Sequence, residues 1–209
     1  MKKAVLIIML IAGFSAAQAF AQYGYDSHRF EISPFAGYQF GGKFSVRAGT
    51  LSIKDDMNYG GTLDIYVRPG FQVELAYIRQ DTELWLRDVL TGIKSPLFDI
   101  TVEHFQIGAL YELKQGRIRP FGLVTAGLTH FNPKPKERSS EWRFSFGFGG
   151  GVKAFVSEHL GFRFQGRLLL PYFGAGGGLW CSAPGGCFVT LDGRVVMQVD
   201  FTGGIFLAF

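Results

Sequence analysis

Apolar residues fall on every second position along most of this chain, and the longest such run closes it. From 189 to 209 the odd positions read Val, Leu, Gly, Val, Met, Val, Phe, Gly, Ile, Leu and Phe. Thr190, Asp192, Arg194, Gln198, Asp200 and Thr202 sit in the other register. Period-two alternation predicts a β-strand with one apolar and one polar face, because a helix would repeat near 3.6. The same pattern predicts seven earlier strands, at 29–40, 58–67, from 71 onward, 102–113, 118–131, 142–156 and 160–170. The run 118–131 is apolar in both registers, so its facing stays open. Pro34 has no N–H to give a ladder, and a bulge or local break is expected there.

The connections alternate in length: long over 41–57, short over 68–70, long over 79–100, short over 114–117, long over 132–141, short over 157–159, long over 171–188. Eight antiparallel strands joined by short turns on one side and long loops on the other are the plan of a transmembrane β-barrel. A soluble eight-stranded ligand barrel is the rival. Against it, the polar register is poor in Lys and rich in Gly, Ser and Thr, unlike a solvated face. Aromatics also gather near strand ends, Tyr38, Phe40 and Trp142 toward the long loops and Phe71, Tyr111 and Phe209 toward the turns, as interfacial girdles do. Finally, the inward charges nearly balance: Glu31, Asp64, Glu74, Glu112, Asp192 and Asp200 against Arg143, Lys153, Arg163, Arg167 and Arg194. Asp64, Glu74, Arg163, Arg167, Arg194 and Asp200 are expected to form a lumen charge network, since charges in a narrow barrel must be paired or hydrated.

The final strand, ending on Phe209, resembles the terminal strand of bacterial outer-membrane β-barrels. The stretch from Tyr59-Gly-Gly-Thr-Leu-Asp64 through Glu74 to Leu84 is similar to sequences in small barrels of that kind. The resemblance implies an all-β, eight-stranded antiparallel up-and-down transmembrane β-barrel over 29–209. It also implies a barrel-insertion signal carried by Phe201, Ile205, Leu207 and Phe209, and the outer membrane of a Gram-negative bacterium as the destination. The partners it implies are outer-membrane lipid and lipopolysaccharide, and the barrel-assembly machinery. No nucleic acid is expected, and a monomer is.

The N-terminal end fits that destination. Met1-Lys2-Lys3, an apolar run to Ala17 and the small-x-small sites Ala17-Gln18-Ala19 and Ala19-Phe20-Ala21 read as a secretory signal peptide over 1–21. Cleavage is expected after Ala19 or Ala21, leaving a short segment 22–28 before the barrel. Charged residues are only 18% of the chain, and no other run is long enough for a membrane helix. The formal charge of +4 falls to about +2 without Lys2 and Lys3, which says little about partners.

Candidate chemistry is sparse. Cys181 and Cys187, in Cys-Ser-Ala-Pro-Gly-Gly-Cys, read as a disulfide pinning one loop of an exported protein. Two thiols with no nearby histidine are too few ligands for a metal. The glycine-rich segments at 147–151 and 174–178 lack the Lys-Ser/Thr of a phosphate loop. The first reads instead as small inward residues making room in a tapering barrel. His130 with Ser139 and Ser140 flanks the third long loop, where a Ser–His pair can build a nucleophile. No carboxylate stands out in the sequence to orient that histidine, so catalysis is not expected, and no cofactor is. Leu84, Trp85, Leu86, Val89, Leu90 and Ile93 in the second long loop suggest either an apolar binding surface or strands that outgrow the membrane and cover each other. The second is favoured. The expected role is a non-enzymatic barrel with a structural or surface-interaction function. A narrow channel or carrier for small or hydrophobic compounds is the alternative, and a lipid-A-modifying enzyme a further one.

Overall fold

The computed structural model describes residues 29–46, 49–88, 92–113, 116–134, 139–173, 177–182, 186–191 and 194–209, with side chains throughout except at 44–46, 49, 88 and 173–195. The expected signal peptide and the segment 22–28 lie outside the described residues. In chain order the strands are β1 (Phe30–Phe40), β2 (Lys43–Val46), β3 (Gly49–Ile53), β4 (Asp56–Arg68), β5 (Phe71–Asp88), β6 (Lys94–Glu112), β7 (Ile118–Pro133), β8 (Glu141–Phe155), β9 (Leu160–Phe173), β10 (Gly177–Ser182), β11 (Gly186–Leu191), β12 (Arg194–Val195) and β13 (Gln198–Ala208). β1, β4, β5, β6, β7, β8, β9 and β13 close into one antiparallel barrel, in which β13 lies between β9 and β1.

The alternation that predicts the strands also sets their facing. Along β6, Tyr111, Ile107 and Phe105 point outward and are exposed, whereas Leu110, Gln106 and His104 are buried in the lumen. The uncertain strand resolves the same way: Phe121, Leu123, Thr125 and Phe131 of β7 face in, while Val124 and Leu128 face out. Buried polar side chains outnumber buried apolar ones among the described residues, and large apolar side chains cover the outside. That inversion suits a hydrocarbon solvent and would be untenable in water.

Three departures from the sequence reading have physical causes. The C-terminal run 189–209 is not one strand. Pro171 of β9 stands opposite Val196, accepts its N–H at 3.1 Å and has none to return, so the ladder lapses between β12 and β13. Residues 186–191 pair instead with 177–182 in a separate hairpin. Next, most of the second long connection is strand. β5 and β6 pair from Phe71↔Tyr111 to Arg87↔Lys94, with one register shift between Leu84 and Trp85 where Leu97 is skipped, so this hairpin stands well above its neighbours. Last, the first long connection folds into the β2–β3 hairpin, whose second strand adds to the tall part of β5 through Gly49↔Asp88 to Ile53↔Leu84. At Pro34 the expected break occurs on one side only. The β1–β13 ladder skips Ser33 and Pro34 without changing register, and the β1–β4 ladder runs through.

Candidate functional site

The lumen is built in layers. Nearest the short turns, Glu31, Asp64 and Glu74 lie side by side on β1, β4 and β5, a cross-strand row of three carboxylates. Like charges in register repel. The opposite wall supplies the answer, because Lys153 and Arg163 are neighbours on β8 and β9. Lys153 Nζ lies 2.8 Å from Glu31 Oε1, 3.4 Å from Asp64 Oδ2 and 3.5 Å from Glu112 Oε2, and donates to Gln72 Oε1 at 3.0 Å. Arg163 NH1 donates to Asp64 Oδ2 at 2.7 Å and its NH2 to Glu74. Arg167 follows one layer up, 3.4 Å from Asp200 Oδ2 and 3.9 Å from Glu74 Oε1. Arg119 closes the lower end on Glu112 at 3.1 Å. An acidic wall and a basic wall thus meet across the barrel axis, and Lys153 has no exposed surface.

Aromatic rings fill the space between these charges. Phe121 lies 4.8 Å from the Arg163 guanidinium and 5.8 Å from Lys153 Nζ, and Phe35 lies 5.2 Å from Arg167. The inward glycines make the room: a Cβ on Gly151 would come within 2.9 Å of the Phe121 ring, and one on Gly149 within 2.8 Å of Arg167 Cγ. The glycine-rich run of β8 is therefore a packing device, as its position in the inward register suggests. Above the charges comes an uncharged layer. His104 Nδ1 meets Thr129 Oγ1 at 2.8 Å, and Gln106 donates to Ser145 at 2.7 Å. Above that the lumen turns apolar, with Leu51, Ile53, Leu84, Ile100, Val102, Phe131 and Val196 packed together. Leu51 and Ile53 come from the β2–β3 hairpin, which leans over the mouth. Leu84 belongs to this plug, and Leu86 packs against it. Of the apolar residues of the second long connection, Leu84 and Leu86 thus face inward on extended strands and Ile93 is exposed, while Val89 and Leu90 lie outside the described residues.

Of the six residues expected in the charge network, Asp64, Glu74, Arg163, Arg167 and Asp200 come together. The Arg194 side chain is outside the described residues. Glu31, Glu112 and Lys153 belong to the same network, and Lys153 is its hub. Phe201, Ile205, Leu207 and Phe209 all lie on the outer face of the last strand and are exposed. Cys181 and Cys187 stand directly opposite each other in the β10–β11 ladder, though their side chains are outside the described residues. Directly opposed strand positions bring Cα atoms within reach of a disulfide. We expect peptide mass spectrometry without reduction to find the 181–187 linkage, and two free thiols in exported protein would refute it.

One arrangement is not legible in the sequence. On the outer wall, Tyr59, Arg79, Glu103, His130 and Trp142 occupy successive partner positions on five strands, β4 to β8. Glu103 receives the Tyr77 hydroxyl at 2.6 Å and His130 Nδ1 at 3.0 Å, and lies 3.6 Å from Arg79 NH1. Arg79 also binds Asp81, one step further from the turns, with Nε 3.1 Å from Oδ2. That hydrogen bond holds the Asp81 carboxyl below the usual carboxylate range. The carboxylate beside His130, which does not stand out in the sequence, is Glu103, 27 residues away along the chain. Ser139 and Ser140 are exposed, and among the described residues His130 contacts Glu103 and stacks on Trp142, ring centroids 4.4 Å apart. Among the described residues, no serine hydroxyl contacts its ring.

A closed eight-stranded barrel, apolar outside and ionic within, is a transmembrane barrel. The chain belongs to the outer membrane protein beta-barrel domain family, whose model matches residues 6–179. Similar solved structures include Neisserial surface protein A (14% identity, 86% of this chain and 97% of that one, TM-score 0.58) and OprG from Pseudomonas aeruginosa (15%, 89% and 99%, TM-score 0.58). The outer membrane protein AlkL is another (12%, 90% and 93%, TM-score 0.55). At these identities the likeness is one of fold. Among curated proteins, none matches at a significant level.

Proposed function

We propose that this protein is a non-enzymatic outer-membrane barrel that works through its outer wall and its tall outside hairpins, and that its lumen is closed to water-soluble compounds. The observation that carries this is the transverse ion network. Lys153 and Arg163 reach across the barrel to carboxylates on the facing wall, and Arg167 lies between Asp200 on the neighbouring strand and Glu74 opposite, all with almost no solvent exposure. Eight strands leave an interior that side chains can just fill, and here they are large and paired. Liposomes carrying the purified protein should swell in a small sugar no faster than empty ones. Swelling at the rate of a porin control would remove the reading.

A second reading, a carrier of small hydrophobic compounds, is favoured by one observation. The lumen nearest the long loops is lined by aliphatic side chains and Phe131 rather than by charge. Such a route would need an exit through the barrel wall above the ion network. Protein-dependent uptake of an apolar fluorescent probe, with no sugar permeation, would select it.

A further inference from the structure

We propose that the outer wall over β4 to β7 holds one glycolipid of the outer leaflet, its acyl chain in an apolar groove and an uncharged sugar on the Arg79–Glu103–His130–Trp142 row. The groove, about 650 Å³, is lined by Gly61, Leu75, Tyr77, Phe105, Ile107 and Leu128 on the lipid-facing side. It lies immediately on the turn side of the polar row: Tyr77, Phe105 and Leu128 are successive partners, two residues from Arg79, Glu103 and His130 on the same strands. An apolar slot ending at a polar ledge is the shape of a lipid with its head at the interface.

The ledge selects the head. Among the described residues, Arg79 and Lys134, whose charge also reaches Asp81, are matched by Asp81 and Glu103, which leaves no surplus positive charge among them for a phosphate. The remaining groups are mixed in sense. The carboxylates of Glu103 and Asp81 accept, while Arg79 and the Trp142 indole donate. Sugar hydroxyls both donate and accept and suit such a row. Trp142 and Tyr59, each about half exposed, flank it with amphipathic rings.

The site builds on the reading of the wall as the working surface, yet its test is independent of whether the lumen conducts. The full protein, in nanodiscs containing a glucosyl diacylglycerol, phosphatidylglycerol and phosphatidylethanolamine, would be released into a native mass spectrometer. Gly61→Leu fills the groove without straining the backbone, since a Cβ there meets nothing nearer than the Ser33 carbonyl oxygen at 3.6 Å. Trp142→Leu removes the ring and the indole donor, and Met197→Leu on a distant wall is the control. Heat-modifiable gel migration checks folding of each. One glycolipid per barrel is expected, preferred over phosphatidylglycerol by about tenfold, the worth of roughly one hydrogen bond. Gly61→Leu and Trp142→Leu should each lose it, and Met197→Leu should keep it. Equal retention of the three lipids, a preference for phosphatidylglycerol, or either groove or row substitution leaving retention intact would overturn the proposal.

Discussion

Replacing Lys153 with methionine should destabilise the folded barrel by about 3–5 kcal/mol, the cost of stranding a buried charge partner. Methionine keeps most of the stem's volume, so the loss is electrostatic rather than a cavity. Glu31, Asp64 and Glu112, each within 3.5 Å of Nζ, would lose their shared cation. Glu31 and Asp64 are also cross-strand neighbours and would then repel. Adding Glu31→Gln to Lys153→Met should recover part of the loss, because groups in one network are not additive. Reversible urea unfolding in lipid vesicles measures both. A loss below about 1 kcal/mol, as for an exposed pair, would mean that water reaches Lys153 and that the network does not seal the lumen.

Arginine at Ile107 should cost about 2–4 kcal/mol, and arginine at Leu113 about 0–1, because the penalty on the lipid face depends on depth. Both residues are roughly half exposed and lie on the outer face near or along β6. Ile107 sits midway between Tyr111 and the polar step at Glu103, at the centre of the apolar band, whereas Leu113 adjoins the turn. The same unfolding assay decides. Equal costs at the two positions would mean that the band is not where the Glu103 row and the turns bracket it.

The fold was legible because a barrel wall obeys one local rule. Each residue's facing follows from its parity, so Asp64, Glu74, Arg163, Arg167 and Asp200 could be placed inward without a structure. The hub role of Lys153 was harder to see, since it depends on which inward residues share a level across the axis, and that depends on strand stagger. The pairing of Glu103 with His130 was hidden for the same reason, since it depends on which residues of β6 and β7 share a level. The break before β13 has a local cause, Pro171, but it lies on the partner strand, out of reach of a pattern read along 189–209 alone. Strand 118–131 was ambiguous because Phe121, Leu123 and Phe131 are apolar yet inward, Phe121 packing on Arg163 and with Leu123 and Leu110, and Phe131 joining the plug near the mouth.

The most direct test of the account is conductance of the purified protein in a planar bilayer. A lumen crossed by Lys153 and Arg163, with Arg167 between Asp200 and Glu74, and capped by Leu51, Ile53 and Phe131 should pass no steady current, with at most brief, small fluctuations. Large, long-lived single-channel steps from the intact barrel would contradict it.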